Sequence, residues 1–125
     1  MNRNIAVLVP LMLMLGCVSL FRGVITITKV VDGAMREAAA LKQQGFLPAD
    51  VELRLIEAHN KYRAAAGTAA DALEAYKINQ DKASYVRALE AARAAASGII
   101  DIIVPLVGVE KVTWMREDLK KASEL

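Results

Sequence analysis

The fold class is decided by residues 51–76, VELRLIEAHNKYRAAAGTAADALEAY. Apolar positions in this stretch step alternately by four and three residues over about four heptads, a spacing that predicts one long helix with a continuous apolar seam. Half of the seam is alanine, so a neighbouring helix can approach closely. Gly67 lies in the middle of the stretch and costs about 1 kcal/mol relative to alanine. The seam consists of Val51, Leu55, Ala58, Tyr62, Ala65, Ala69, Ala72 and Tyr76.

Three further stretches have helical spacing. A first helix has the face Val24, Ile27, Val31, Ala34, Ala38 and Leu41; a third has Tyr85, Leu89, Ala92, Ala96, Ile99, Ile103 and Leu106; a last piece, Val109 to Leu125, has Val112, Met115, Leu119 and Ala122. Residues 24–31 are also β-branched and alternate in a strand-like manner. Because no second strand-like segment can pair with them, we interpret them as a tether that enters the first helix.

The breaks between these stretches predict short connections. Gly45 suits a helix stop, and Pro48 suits the first position of the second helix. Asp81 is a good N-cap for the third helix, and Pro105 with Gly108 should kink or end it. Short connections imply antiparallel neighbours. The predicted fold is all-α: an antiparallel helical hairpin or three-helix bundle over residues 24–125, with a short C-terminal amphipathic helix.

Composition limits the size and the partners of this domain. A chain of 125 residues has room for one small domain. Its 16 basic and 14 acidic residues nearly balance, so no basic footprint for nucleic acid is visible. The single cysteine, Cys17, excludes an internal disulfide.

The N-terminus has the layout of an export signal. A basic start, Met1-Asn2-Arg3-Asn4, precedes an apolar stretch from Ile5 to Leu15, and the small residue Gly16 stands immediately before Cys17. A charged region, an apolar region of about 7–15 residues and a small residue before the cut are typical of a secretory signal.

The four residues Met14-Leu15-Gly16-Cys17 resemble the lipobox of bacterial lipoprotein precursors. Gly16 and Cys17 match that pattern, whereas Met14 and Leu15 stand where the family usually has Leu and then Ala or Ser. The resemblance implies that residues 1–16 are removed, that Cys17 receives a diacylglycerol thioether, and that residues 17–23 form a lipidated tether. In a Gram-negative cell, Val18 in place of aspartate would direct the protein to the outer membrane.

Two other interpretations of this segment stay open. An uncleaved single-pass anchor in the inner membrane would run from Ile5 to Phe21 between Arg3 and Arg22, and at about 1.5 Å per residue it is short for a bilayer core of roughly 30 Å. A buried core helix would need a polar face, which this segment lacks.

The stretch 99–107, IIDIIVPLV, is apolar almost all round. Such a helix either fills the core or docks on a partner or the membrane interface. Ile100, Val104 and Val107 are the candidate contact residues for docking. Trp114 lies about 200° round its helix from Val112, off the apolar stripe, and is a fourth candidate.

The sequence shows no catalytic or metal-binding pattern. His59 is the sole histidine, the serines lack a nucleophile context, and the glycines form no phosphate loop. We therefore expect no enzyme, no cofactor and no metal. The expected function is a lipid-anchored structural or interaction protein of the cell envelope, with an unknown envelope partner and possible homo-oligomers through the heptad faces. The alternatives are a membrane-anchored protein of a phage or mobile element that acts on the host envelope, and a bundle that binds a small apolar ligand.

Overall fold

The computed structural model describes the backbone of residues 3–122 and the side chains of residues 22–122. It contains four helices: α1 (Arg3–Gln43), α2 (Ala49–Asn79), α3 (Lys82–Val107) and α4 (Val109–Ala122). No strand occurs in the described part of the chain, which confirms the all-α prediction. The strand-like residues 24–31 are helical, because Ile27, Val30 and Val31 pack into the core and no partner strand is present among the described residues.

The turn between α1 and α2 is a Schellman motif. Gly45 has a φ of 77°, and its N–H donates to the carbonyl of Lys42 at 3.1 Å. The N–H of Phe46 donates to the carbonyl of Leu41 at 2.8 Å. These two bonds satisfy carbonyls at the end of α1. The prediction that Pro48 begins α2 is wrong by one residue, because its ψ of 146° is extended and makes it the N-cap.

The turn between α2 and α3 is stabilised by its own polar side chains. Gln80 adopts a left-handed φ of 61°, and its N–H donates to the carbonyl of Tyr76 at 2.9 Å. The Asn79 Oδ1 accepts from the N–H of Asp81 at 2.8 Å. The Asp81 Oδ1 accepts from the N–H of Ser84 at 3.1 Å, which confirms Asp81 as the N-cap of α3.

The corner between α3 and α4 is short. Pro105 lies inside α3 and the helix continues two residues beyond it to Val107, so the proline does not itself end the helix. Gly108 makes the corner with a φ of 89°, which favours glycine, and its N–H donates to the carbonyl of Val104 at 2.9 Å. α4 then begins at Val109.

α3 lies at the centre of the bundle. It packs against α1, α2 and α4, whereas α1 packs mainly on α3 and α4 and only lightly on α2. α4 is a full member of the bundle, because all four residues of its predicted stripe are buried. The buried core consists of Ile27, Val30, Val31, Ala34 and Ala38 of α1; Leu55, Tyr62, Ala69 and Leu73 of α2; Tyr85, Leu89, Ala92, Ala96, Ile99, Ile100 and Ile103 of α3; and Val112, Met115, Leu119 and Ala122 of α4.

One polar contact joins α1 to α2 at the edge of this core. The Thr28 hydroxyl donates to the carbonyl of Val24 at 2.8 Å. Its oxygen lies 3.2 Å from the Tyr62 hydroxyl, so Tyr62 is the donor of that second bond. Tyr62 is thereby buried with its hydroxyl satisfied, and no described buried side-chain nitrogen or oxygen lacks a partner.

Candidate functional site

The four candidate contact residues lie in different environments. Ile100 is fully buried and cannot form part of a docking surface on the folded bundle, because α3 is covered on that side. Val104 and Val107 are half-buried and pack against the core cluster. The stretch 99–107 therefore divides: its inner side fills the core, and its outer side reaches the surface at the end of α3.

Trp114 packs on α1 while remaining 40% exposed. The Cη2 and Cζ2 atoms of its indole ring lie 2.9 Å from the position that a Cβ would take at Gly33. Only glycine leaves room for this approach, so the ring covers the backbone of α1 there. The prediction of an exposed tryptophan is correct, but the sequence gives no signal for its contact with Gly33.

Ion pairs connect the helices at the surface. Lys42 and Glu52 lie 2.6 Å apart between α1 and α2, and the Asp101 carboxylate lies 3.0 Å from the Arg116 guanidinium between α3 and α4. Glu37 and Lys111 lie 3.7 Å apart between α1 and α4. Exposed pairs of this kind contribute about 0–1 kcal/mol each. These pairs are useful because they show which residues of neighbouring helices lie at about the same level along the bundle axis.

A shallow groove lies between α2 and α3. Its volume is about 310 Å³, at the small end of ligand pockets. Arg54, Glu57 and Lys61 line one side, and the floor is formed by small or apolar residues, Ala58, Ala95, Gly98 and Ile102. Three charged side chains on so small a groove do not favour an apolar ligand. His59 lies nearby, with its ring 6.4 Å from that of Tyr62, and the described residues contain no cluster suited to a metal.

The two ends of the bundle differ in their exposed residues. We call the end with the α1–α2 turn and the α3–α4 corner the far end; it exposes Phe46 at 66% and Val109 at 68%. The opposite end, which we call the near end, carries the α2–α3 turn. Residues 76–85 form the hairpin tip there, and its Ile78 is 87% exposed, the highest value among the large apolar side chains described.

The hairpin tip is rigid in its backbone and mixed in charge. Both Asp81 oxygens accept bonds from Ser84, one from its N–H at 3.1 Å and one from its hydroxyl at 2.5 Å. The side-chain bond, followed by the backbone bond, lowers the pKa of Asp81 below its usual value. Lys77 and Lys82 are exposed on either side of the turn. The sequence interpretation missed Ile78, whose only signal is an apolar residue off the seam of α2 among charged neighbours.

The register of α1 against α2 shows how far the hairpin tip extends. Thr28 lies beside Tyr62, so in this antiparallel pair Gly23 is level with about residue 67 of α2. The Lys42–Glu52 pair gives a register nearer residue 71. At about 1.5 Å per residue, Gln80 therefore lies roughly 14–20 Å beyond Gly23 along the bundle axis. Gly23 is itself buried, so the bundle already surrounds α1 at that height.

Tyr85 lies at the base of the hairpin tip and is fully buried. Burial raises its pKa to about 12, because the phenolate form would lose its hydration. Tyr85 was predicted as a seam residue of the third helix, and this is confirmed.

The lipid-anchor and spanning-anchor interpretations concern the N-terminal residues 1–21. In the part of the chain whose side chains are described, no helix has both the length and the apolar character needed to cross a bilayer. The proposed anchor, Ile5 to Phe21, and the side chain of Cys17 lie outside those residues. No family model, no curated protein and no solved structure matches this chain.

Proposed function

We propose that this chain is a lipid-anchored helical bundle with a structural or interaction role at a bacterial membrane surface, attached through Cys17. The proposal comes from the lipobox-like residues Met14 to Cys17. It is supported by the burial of Gly23 in α1, only six residues after Cys17. A bundle that reaches to within six residues of a lipid on Cys17 would be held close to the bilayer.

The distance by which the hairpin tip extends beyond Gly23 favours a lipid at Cys17 over a membrane-spanning anchor that ends at Phe21. With a spanning anchor, the bilayer surface would lie at about Arg22. Asp81 and Lys82 would then lie roughly 14–20 Å deeper and Lys77 roughly 9–15 Å deeper, below the headgroups in an upright bundle. Charged side chains are costly at that depth. An anchor at Cys17 moves the surface outward by six helical residues, about 9 Å, which reduces the depth of the hairpin tip to roughly 5–11 Å.

The exposed apolar side chains of the described part of the chain support an interaction role. The charged side chains lie on solvated faces, and no Asp, Glu, Lys, Arg or His is buried in the described part of the chain. The far end exposes Phe46 and Val109, and the outer face of α2 exposes Leu53 and Ile56. These apolar residues are the available positions for an envelope partner or a second copy of the chain.

Labelled-palmitate incorporation with intact-mass analysis tests the proposal. The native chain and Cys17→Ser are expressed in a bacterial host and compared. We expect label, and a mass that matches cleavage before Cys17, in the native chain only. An unlabelled full-length product that requires detergent for extraction would favour the spanning anchor from Ile5 to Phe21 and would overturn the lipid anchor.

A further inference from the structure

We infer that the α2–α3 hairpin tip is a second membrane contact, in which Ile78 enters the interface of an anionic phospholipid bilayer and Lys77 and Lys82 lie among its headgroups. This inference rests on the proposed attachment at Cys17. It adds an orientation to that attachment, since two contacts at one end of an elongated bundle fix its axis relative to the membrane.

The first support is distance. Cys17 precedes Gly23 by six residues of α1, which rise about 9 Å as a helix. The hairpin tip lies roughly 14–20 Å beyond Gly23 in the same direction, by the register of Thr28 with Tyr62 and of Lys42 with Glu52. The tip is therefore roughly 5–11 Å beyond the level of Cys17. That is the depth at which apolar side chains enter the boundary between headgroups and acyl chains, so a bilayer that holds a lipid on Cys17 is within reach of the tip.

The second support is the chemistry of the hairpin tip. Ile78 is 87% exposed. Contact of this apolar side chain with water is unfavourable, and its transfer into the apolar part of a membrane interface would lower the free energy. Lys77 and Lys82 are exposed and form no ion pair with a described residue, so both ammonium groups are available to phosphate. An apolar side chain between two cations is the arrangement that interfacial membrane contacts use. Asp81, the acidic residue between them, has its oxygens bonded to Ser84.

The third support is the shape of the turn. The left-handed Gln80, the Asn79 bond to Asp81 and the Asp81 cap hold the turn in one conformation. Ile78 therefore loses little conformational freedom when it binds. With this end on the membrane, α2 carries the far end about 45 Å away from the bilayer, since its 31 residues rise about 1.5 Å each.

Lipid quenching measures the contact directly. The lipidated chain carries Trp114→Phe, so that its only tryptophan is one introduced at the hairpin tip as Ile78→Trp. A matched protein carries Phe46→Trp at the far end, where the native side chain is similarly exposed. Both are bound to vesicles of phosphatidylglycerol and brominated phosphatidylcholine, floated on a density gradient, and their fluorescence is compared with that on unbrominated vesicles.

We expect strong quenching of the tryptophan at position 78 and none at position 46. Adding Lys77→Gln and Lys82→Gln should reduce the equilibrium constant between tip-bound and tip-free protein by about thirtyfold at low salt, because each cation near an anionic surface changes that constant by about fivefold. Protein that floats with equal, weak quenching at both positions would overturn the second contact and leave the lipid anchor intact. Protein that fails to float would overturn the anchor and, with it, this inference.

Discussion

α2 and α3 have the same alternating three- and four-residue spacing and similar alanine content, yet they are buried very differently. α3 buries seven side chains, and α2 buries four over a longer length. α3 has neighbours on three sides, whereas α2 has α3 on one side and only a light contact with α1. Spacing identifies which face of a helix turns inward, but the number of neighbours decides how much of that face is covered.

This difference concentrates the stability of the bundle in α3. Ile99, Ile100 and Ile103 of α3 are fully buried in the core cluster, whereas Leu53 and Ile56 of α2 are exposed. Large side chains on α3 should therefore be costly to remove, and those on the outer face of α2 should be nearly neutral. The following predictions compare the two helices, from the largest expected effect to the smallest.

Ile103→Ala should produce the largest loss. It removes a fully buried side chain and leaves a cavity, which costs about 2–5 kcal/mol in the free energy of unfolding. The matched change Ile56→Ala in α2, where the side chain is 48% exposed, should cost less than about 1 kcal/mol. Urea denaturation of both variants measures the two values. Equal losses would contradict the central position of α3.

Alkaline pH should destabilise the bundle through Tyr85 of α3. Its pKa is raised to about 12 from the ordinary 10, so the unfolded chain loses its proton first as the pH rises. The stabilisation is fully present below pH 10 and is lost as the pH rises through 12, with a total of about 3 kcal/mol.

Denaturation between pH 9 and pH 12 measures this effect. Tyr85→Phe should flatten the alkaline decline, and Tyr76→Phe, at a half-buried position of α2, serves as the control. An unchanged decline in Tyr85→Phe would show that another group causes it.

Two glycine substitutions should have opposite signs. Gly33→Ala in α1 places a methyl group 2.9 Å from the Trp114 ring, which must move outward, at a cost of about 1 kcal/mol. The sole tryptophan then becomes more exposed, and its fluorescence maximum should shift to longer wavelength. Gly67→Ala in α2 meets open space and should stabilise the bundle by about 0.5–1 kcal/mol. A blue shift in Gly33→Ala would contradict the contact.

The smallest expected effect on stability is at the turn between α2 and α3, where Asp81 caps α3. The carboxylate of Asp81 is stabilised by its bonds to Ser84, which lower its pKa, so this contribution is present above the ordinary carboxyl pKa and is lost as the pH falls through the lowered value. Asp81→Asn keeps a capping acceptor but should remove that acid dependence, whereas Asp81→Ala should also lower the melting temperature. Melting curves at pH 7 and pH 3 separate the two contributions.

The sequence predicts the inward faces well because each face is a local property of one helix. The stripe Val112, Met115, Leu119 and Ala122 is buried in full, as its spacing indicates. The central position of α3 could not be predicted, since it depends on which helices pair. The helical face with Ile27 and Val31 is confirmed, whereas the interpretation of residues 24–31 as a tether is wrong. β-Branched residues suit a strand and a buried helix equally well until a neighbour is known.

The features of the candidate surfaces were less accessible from the sequence. The burial of Ile100 depends on helices that lie far from it in the chain, and nothing in local spacing separates it from the half-buried Val104. The Trp114 contact requires the absence of a side chain at Gly33. Ile78 becomes informative only when the height of the hairpin tip relative to Gly23 is known.

The pairing of α1 with α4 has a consequence for the order of events during synthesis. The α2–α3 hairpin is local in sequence and can form as soon as α3 has left the ribosome. α1 has much of its packing surface on α4, which follows the other three helices in the chain, so α1 stays without that neighbour until α4 has been translated. A nascent chain truncated before Val112 should therefore hold α1 only loosely. The face of α1 that packs on α4 thus stays uncovered until α4 has left the ribosome.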